Sequence, residues 1–506
     1  MEFRFKLVSQ WPSLAWLAEC APGGDVIQVR HGNRVETRED WFCEAVWAGS
    51  FSEGDFDRTD IVAGSGARIR GEEVHFVSSG SNVDRLHVLR RDRATVISNS
   101  LVCLLAWVDG SAQPGYVAYG ADFATYRYAL FGEHSKSFPS SAGPVELVYF
   151  DNLQWDGRNC SRVEKPLGDR SFSTFADYRA FLAQCMSAVA ANAAHLDRTR
   201  SPRLLCPISN GYDSPTIAVL AREAASFDAF TFARDRDGRD DSGAPIAERL
   251  GVPCETIDRD AWRRHELAEV PFIGCSRSIG DLAFKSAEHL LDGTVFLSGA
   301  GGGSVWRSTV VEELSKLEIG DGTMLGFTEY RLWAGFIHAP VPLWGVRQVR
   351  EIRRIAASAE MKPWDTGGRY SRPVCRRIVE EAGIPRDAFG NEKKGVSVLS
   401  PTRRDALSPS SRKDFFVWLR ECRQSQDGYW DSLPSPLTAQ LLDFLVTPLA
   451  RSVKGLENGL RRGRSGRFRV LRGGTSLLSR KLSQPYFHHH YVIHWALERA
   501  KQRYAG

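Results

Sequence analysis

Short hydrophobic runs separated by polar and glycine clusters fill the first third of the chain. Such runs occur at residues 74–77, 86–89, 95–97 and 145–150, with Gly, Ser, Asp and Asn residues between them. Runs of this length between turn-forming residues are typical of β-strands. The pattern therefore predicts a β-rich first domain over residues 1–168.

The pattern changes after this region, where apolar residues recur at three- and four-residue steps from Phe175 to Val189. This spacing predicts a helix that packs on one face. Two apolar runs, 204–208 and 227–232, then flank an alanine-rich helical stretch, which predicts a β–α–β unit and hence a parallel sheet. We assign the chain to the α/β class, with a second domain over residues 169–445.

A further buried-strand candidate, 294–297, is followed by a loop of small residues. Five of the seven residues in 298–304 are glycine or alanine. Loops at the carboxyl ends of parallel strands are where such sheets bind ligands, so this loop is a candidate binding element. The region 310–390 is predicted to be mostly helical, interrupted by Pro340, Pro342 and Pro363.

The composition is that of a folded globular protein of several domains. The 506 residues are 42% hydrophobic, and 66 Lys and Arg against 61 Asp and Glu give a formal net charge of +5. That charge is too small to indicate a nucleic-acid-coating protein, and no nucleic-acid partner is expected. The ten cysteines form no Cys-x-x-Cys pair and no Cys/His ladder, which favours reduced thiols over a zinc site or disulfides.

No segment reaches the roughly 20 apolar residues that a membrane-spanning helix needs. The longest weakly polar stretch, 96–108, contains Ser98, Asn99 and Ser100. The first residues carry charged side chains where a signal peptide would be continuously apolar. We therefore expect a cytoplasmic protein without a membrane span.

Residues 446–506 form a third predicted region, a basic Gly/Arg-rich extension with a terminal helix. Between residues 451 and 481, ten of 31 residues are Lys or Arg. A solvated surface is the first interpretation of this segment, and contact with an anionic glycan, lipid or nucleic acid is the alternative. His490 and His494 have a spacing that can chelate a metal, but no carboxylate or cysteine completes the set, so helix packing is favoured.

The sharpest chemical signal is the run Ser209-Asn210-Gly211-Tyr212-Asp213-Ser214, which follows a predicted strand and precedes a predicted helix. A helix N-terminus presents unpaired N–H groups, so a loop of small residues there can bind phosphate. Gly211 permits close backbone approach, Asn210 tolerates positive φ, and Ser209 and Ser214 can donate to phosphate oxygens. Asp213 can hold magnesium. A turn that only caps the helix is the alternative interpretation.

The pattern Ser-x-Gly-x-Asp-Ser resembles the pyrophosphate loop of the asparagine-synthetase-like ATP pyrophosphatases, a family that includes β-lactam synthetases and lasso-peptide cyclases. Three later segments lie in the order that this family has, and the resemblance covers roughly residues 172–400. They are an acidic pair before an Ala-x-x-Leu-Gly helix end (239–252), a glycine-rich loop (298–302) and a lysine-bearing stretch (370–395). The β-rich first domain is similar in size and position to the family's N-terminal glutaminase-like (Ntn-type) domain.

The resemblance implies an ATP- and magnesium-dependent ligase built on an adenine nucleotide α-hydrolase-like sheet. Such an enzyme adenylates a carboxylate, releases pyrophosphate and lets an amine attack to form an amide. It implies that Gly299, Gly301 and Gly302 bind ATP together with the pyrophosphate loop. For Mg²⁺ the candidate ligands are Asp213 and Asp241, with Asp237 and Asp240 as alternatives to Asp241 and water filling the remaining positions.

A catalytic lysine is the second element that the resemblance implies. Lys393 and Lys394 are the candidates, because a positioned cation stabilises charge developing on phosphate and tetrahedral oxygens. The spacing does not separate the two, and an exposed basic loop is the alternative. The implied partners are a small-molecule or peptide carboxylate and an amine donor, and homodimer formation stays open.

Two departures from the family pattern change the expected chemistry. Residue 2 is Glu2, so no cysteine nucleophile follows Met1, and we expect no glutamine hydrolysis. The later loop of the family usually ends in an Asp-Glu pair that helps bind magnesium, whereas this chain has Gly303 and Ser304. Two further hypotheses therefore stand beside the ligase: a catalytically inactive nucleotide-binding protein of the same fold, and a tRNA-modifying enzyme that shares the loop.

Overall fold

The computed structural model describes residues 1–91, 93–113, 130, 136–276, 279–310, 327–368, 370–396, 407–424 and 487–505. Strands dominate up to residue 163, and helices alternate with strands after residue 175. The chain is thus of mixed α/β class, as the hydrophobic pattern predicts. The predicted basic segment 451–481 lies outside the described residues.

The strands, numbered in chain order, fall into two groups separated by the long helix that begins at Phe175. The strands of the first group are β1 Glu2–Leu7, β2 Trp16–Cys20, β3 Val26–His31, β4 Glu36–Thr37, β5 Trp41–Trp47, β6 Val62–Arg70, β7 Glu73–Val77, β8 Leu86–Arg91, β9 Ala94–Ser98, β10 Lys136–Ser140, β11 Gly143–Val148, β12 Asn152–Trp155 and β13 Cys160–Val163. Those of the second are β14 Arg203–Pro207, β15 Asp228–Phe232, β16 Cys254–Ile257, β17 Thr294–Ser298 and β18 Ile337–Pro340.

The α-helices lie mostly in the second part of the chain. They are α1 Leu101–Trp107, α2 Phe175–Ala193, α3 Asp213–Ala224, α4 Ala244–Leu250, α5 Val270–Ser276, α6 Glu288–Leu291, α7 Gly302–Val305, α8 Phe327–Ala334, α9 Val349–Ala356, α10 Pro373–Glu381, α11 Pro409–Gln424 and α12 Phe487–Lys501. Short 3₁₀ turns occur at Phe56–Arg58, Ala261–Arg264, Leu282–Ala287, Val341–Leu343, Val346–Gln348, Ala359–Trp364 and Arg386–Ala388.

Two sheets pack against each other in the first part of the chain. One has the order β1-β3-β2-β9-β8-β11-β10 and the other the order β13-β12-β7-β6-β5-β4. Their facing side chains form a closed apolar core that includes Trp16, Phe42, Phe76 and Trp155. Every second residue of β3 is buried while its neighbours are partly exposed, which is the alternation expected of a strand with one face on a core.

A five-stranded parallel sheet with the order β16-β15-β14-β17-β18 forms the second part. The chain enters at the central strand β14, adds β15 and β16 on one side, and then adds β17 and β18 on the other. The strand order therefore reverses between β14 and β17. In open α/β sheets such a reversal leaves a crevice at the carboxyl ends of the two strands.

Two strands of this sheet, β16 and β18, are absent from the sequence prediction. Residues 310–390 are predicted to be mostly helical, but Ile337–Pro340 forms the edge strand β18, and all four of its residues are buried. A proline ends the strand, and proline is tolerated there because an edge strand needs no hydrogen bond on its outer side. The prediction of a mostly helical region was therefore wrong for residues 337–340, and Pro340 marks the end of a strand.

A buried ionic cluster joins the two parts of the chain. The guanidinium of Arg331 in α8 donates to Glu44 of β5 at 2.6 and 3.0 Å and to Asp84 at 2.8 Å. All three side chains are at most 2% exposed. Beside it, Glu329 accepts hydrogen bonds from Ser100 and Tyr504. Charged side chains that are buried away from water are stable only when they pair with and hydrogen-bond to one another. This cluster therefore fixes the position of α8 relative to the two sheets.

The terminal helix α12 lies against α5, where glycine allows close contact. A Cβ on Gly274 would lie 3.3 Å from the carbonyl oxygen of Ala496. His494 of this helix is 6% exposed and its ring lies 6.0 Å from that of Tyr491. Among the described residues no cluster of metal-binding side chains is found, and none of the helices there has the length and apolar character to cross a bilayer.

Removing the central guanidinium should destabilise the protein strongly. We expect Arg331→Ala to lower the free energy of unfolding by about 3–5 kcal/mol, because it leaves two buried carboxylates uncompensated. Urea denaturation followed by tryptophan fluorescence measures the change. The matched control is Arg264→Ala, whose side chain is 80% exposed and should alter stability by less than about 0.5 kcal/mol. Equal effects of the two variants would contradict a structural role for the cluster.

Candidate functional site

A cleft of about 630 Å³ opens where the strand order reverses, a volume typical of small-molecule sites. It lies at the carboxyl ends of β14, β15 and β17. Four stretches of chain that are distant in sequence line it: 207–214 after β14 except residue 210, 298–304 after β17 except residue 302, residues 370 and 372, and 393–396. Asp241, from the loop after β15, also lines it, together with Thr231, Phe232, Phe284 and Arg307.

The loop after β14 is held closed by its own serines. Ser214 Oγ accepts a hydrogen bond from the backbone N–H of Ser209 at 2.9 Å and lies 3.0 Å from Ser209 Oγ. Ser209 Oγ in turn accepts from the N–H of Gly211 at 3.2 Å. These contacts shape the turn at the start of α3, a helix of 12 residues whose N-terminal N–H groups carry partial positive charge.

Asp213 is the first residue of α3, and glycines of the opposite loop leave room for it. A Cβ on Gly299 would lie 2.6 Å from the Cβ of Asp213, and a Cβ on Gly302 would lie 2.2 Å from its carboxylate Oδ1. Gly301 adopts a positive φ of +86°, which glycine accepts without strain. The glycines therefore let the loops after β14 and β17 approach each other.

Two predicted binding residues lie behind the cleft. Gly302 supports Asp213 as just described. Asn210 donates from Nδ2 to the backbone carbonyl of Asp240 at 3.2 Å, and its own carbonyl accepts from the N–H of Gly390 at 2.8 Å. Neither Asn210 nor Gly211 has a positive φ, so the loop needs no left-handed residue there. Asn210 ties three loops together and does not line the cleft.

Asp241 is a buried carboxylate that faces the cleft. It is 3% exposed, and its Oδ1 has no hydrogen-bond partner in the described part of the chain. Burial raises its pKa to about 6; the positive charge of Lys394 opposes this shift, while Asp235 and Asp240 add to it. A buried oxygen without a donor is costly. The site therefore has an open position for a cation.

The two candidate lysines have different surroundings. Lys394 donates from Nζ to the backbone carbonyl of Asp240 at 2.7 Å, and its side chain is 15% exposed. Lys393 is exposed, and its backbone carbonyl accepts a hydrogen bond from Arg239 at 3.4 Å, while its ammonium group has no hydrogen-bond partner among the described residues. Both line the cleft. Lys394 is the one held beside Asp241, a distinction that the spacing in the sequence does not give.

The loop after β15 fixes the lysine-bearing segment. Asp235 accepts from Arg239 Nε and Nη2 at 2.9 and 2.6 Å, which closes the turn 235–239. The N–H of Arg236 then donates to the carbonyl of Gly395 at 3.0 Å. The turn 235–239, which directly precedes the acidic pair Asp240-Asp241, thus helps to hold residues 393–395 in place.

Further residues of the cleft are not among the predicted site residues. Tyr370 and Tyr212 pack with ring centroids 4.7 Å apart, and Arg372 lies 5.1 Å from the centroid of Tyr212. Arg307 also lines the cleft. The signal for Tyr370 and Arg372 is present in the sequence, since both belong to the lysine-bearing stretch, but no spacing rule marks them as binding residues.

The pKa of Asp241 predicts a pH-dependent stability difference. Because the pKa of Asp241 is raised in the folded state, ionising this carboxyl costs more free energy there than in the unfolded chain. The protein therefore loses stability as pH rises from about 4 to about 6, where the unfolded chain ionises first. We therefore expect Asp241→Asn to be more stable than the wild type at pH 7.5, by up to about 2–3 kcal/mol, and by much less at pH 4.5. Urea denaturation at both pH values measures this. A difference that does not change with pH would show that Asp241 titrates normally.

Comparison with known proteins assigns neither a family nor a function to this chain. No family model matches the chain, and no curated protein matches it. What supports a function is therefore the sequence motifs together with the geometry of the cleft.

Proposed function

We propose that the protein is an ATP-dependent ligase that joins a carboxylate to an amine without hydrolysing glutamine. The carboxylate attacks the α-phosphorus of ATP, which gives an acyl-adenylate and releases pyrophosphate. The amine then attacks the acyl carbon, AMP leaves, and a proton is released as the amide forms. In this proposal the parallel-sheet part is an ATP pyrophosphatase domain, and the β-rich part is a glutaminase-like domain that serves as a scaffold.

The observation that carries the proposal is the convergence of four separate motifs on one cleft. Residues 207–214, 298–304 and 393–396 and Asp241 are far apart in the chain and line the same crevice. Each was singled out in the sequence for phosphate, metal or transition-state binding. Their meeting at the reversal of strand order, where α/β sheets bind ligands, supports a nucleotide site.

The cleft offers a fitting environment for magnesium. Asp241 has a buried oxygen without a hydrogen-bond donor in the described part of the chain, and Asp213 lines the same cleft. Two carboxylates suit Mg²⁺, which takes its remaining ligands from water and substrate phosphates. Bound there, the ion would neutralise charge on the phosphates as pyrophosphate leaves.

Lys394 is the proposed catalytic cation. Its hydrogen bond to the carbonyl of Asp240 and its low exposure hold the ammonium group in place before substrate binds. A preorganised positive charge stabilises the negative charge that builds up on the phosphate and on the tetrahedral oxygen. Lys393, at the exposed side of the same segment, suits an auxiliary contact with substrate.

A second candidate function is nucleotide binding without turnover. It is favoured by the absence of carboxylates at Gly303 and Ser304 and by the finding that no three metal-binding side chains cluster within the described ranges. A protein of this kind would bind ATP with magnesium and release no pyrophosphate with any acid.

Calorimetry with ATP and magnesium tests the nucleotide site. We expect wild-type protein to bind and Asp213→Ala to bind at least tenfold more weakly, because it removes one of two cleft carboxylates. Asp25→Ala, at an exposed position directly before β3, is the control and should bind like wild type. No binding by the wild type would mean that the glycine-rich loops are only turns.

Pyrophosphate release separates the two candidate functions. We expect release with some member of a panel of amino acids, peptides and uronic acids supplied with amines, and a loss of about 10²- to 10³-fold in Lys394→Ala. Lys393→Ala is the matched control and should lose much less. Tight ATP binding with no release for any acid would favour the non-catalytic protein.

A further inference from the structure

Another concave site, of about 580 Å³, lies beside the cleft, and its volume is also typical of small-molecule sites. It is bounded by Thr366 and Gly367, by Arg376 of α10 and by the turn that follows α10, and we call it the side pocket. Tyr370 lines both the side pocket and the cleft. The two sites are therefore neighbours that share one side chain.

Arg376 is buried in the wall of the side pocket with one donor unused. It is 3% exposed, and its Nη2 donates to the carbonyl of Gly390 at 2.6 Å. Its Nη1 has no hydrogen-bond partner within the described part of the chain. Glu380 lies 4.0 Å from Nη1, too far for a hydrogen bond, and accepts two hydrogen bonds of 2.8 Å from Arg386. The charge of Arg376 is thus partly balanced, whereas the donor at Nη1 is unsatisfied.

Two further polar groups face the same pocket. The hydroxyl of Tyr370 forms no hydrogen bond with any described residue. Burial lowers the pKa of Arg376, and the nearby Glu380 and Tyr370 oppose this shift, which places the hydroxyl near the guanidinium. Asp387 is exposed and has no ion-pair partner among the residues that the structure describes. The side pocket therefore offers a guanidinium N–H, a hydroxyl and a carboxylate to a ligand.

A pocket with a buried guanidinium and an exposed carboxylate suits a small zwitterion. Guanidinium N–H groups bind carboxylate oxygens through strong, charge-assisted hydrogen bonds. A ligand carboxylate would remove the cost of leaving Nη1 of Arg376 unsatisfied. A ligand that carries only negative charge would be repelled by Asp387, whereas an ammonium group would pair with it. An α-amino acid has both groups.

Gly390 separates the side pocket from the cleft by the width of one residue. A Cβ at this position would lie 3.2 Å from Nη2 of Arg376 and 3.4 Å from the Cβ of Tyr212, which lines the cleft. A small molecule held by Arg376 therefore lies next to the place where the acyl-adenylate of the proposed reaction forms.

We propose that the side pocket binds the amine substrate of the ligase and that this substrate is a free α-amino acid. Its carboxylate binds Arg376, and its amino group lies between Asp387 and Tyr370. The ammonium group loses a proton to solvent, the amine attacks the acyl carbon, and the amide bond forms as AMP leaves. The carboxylate held by Arg376 does not react. The inference rests on the proposed function, to which it adds that two separate molecules are joined.

Ligand-observed NMR with an equimolar mixture of the proteinogenic amino acids tests the pocket without nucleotide. We expect saturation transfer to at least one amino acid, and loss of the transfer in Thr366→Trp, whose indole fills the side pocket. Lys362→Trp is the matched control, because it adds the same side chain at an exposed position that does not line the pocket. The proposal is overturned if no amino acid receives transfer, or if wild type and Thr366→Trp give equal transfer.

Calorimetry with the amino acid so identified tests the two charged contacts. We expect Arg376→Gln to bind it at least tenfold more weakly than wild type. Asp387→Asn should bind the amino acid about tenfold more weakly and bind the corresponding acid without the amino group at least as well as wild type. This opposite response of two ligands to one exposed substitution does not arise from misfolding. An equal loss of both ligands in Asp387→Asn would contradict the assigned orientation.

Mass spectrometry of the reaction product separates the side pocket from the proposed function. With ATP, magnesium, a carboxylic acid and the amino acid, we expect Thr366→Trp to form at least tenfold less amide than Lys362→Trp. Equal amide formation by the two variants would keep the ligase and remove the side pocket as its amine site. Amino-acid binding that Thr366→Trp abolishes, in a protein that releases no pyrophosphate, would keep the pocket as an amino-acid site and remove the proposed function.

Discussion

The parallel pairing of β14 with β17 is the constraint on which the cleft depends. Residues 203–205 lie beside 294–296, although about ninety positions separate them in the chain. Because β15 leaves β14 on one side and β17 joins it on the other, the loops after β14 and β17 diverge and leave space between them. Glycines at 299 and 302 then let the second loop close on Asp213. The site follows from this pairing and from the small residues that accommodate it.

Buried charges are treated in two different ways in this molecule. At the junction between the sheets and α8, Arg331 is matched by Glu44 and Asp84, so the charge is internal and structural. In the cleft, Asp241 keeps an oxygen without a partner in the described part of the chain. Asp84 also keeps one such oxygen, so an open oxygen alone does not mark a site. The position of Asp241 in a concave surface, with its pKa raised by burial, is what makes it a candidate for ligand binding.

Local patterns in the sequence predict much of the fold. The runs at 204–208, 227–232 and 294–297 predict β14, β15 and β17 to within a residue or two, because buried parallel strands are continuous apolar segments. Strands β16 and β18 are missed, since each has only four residues and so short a run carries no periodicity. The strand order and the packing of the first two sheets depend on contacts between distant residues, which single-sequence patterns do not contain.

The residues of the candidate site are likewise predictable from the sequence only in part. The sequence motif at 209–214 identifies Ser209 and Asp213, because a phosphate-binding loop needs small residues directly before the first turn of a helix. The arginines are not marked, since Arg307 and Arg353 act on the cleft only through the fold. Arg353 and Arg372 donate to the carbonyls of Ser304 and Gly303, so guanidinium groups hold the loop after β17. These contacts join residues that are 49 and 69 positions apart in the chain, and for that reason no local motif in the sequence contains them.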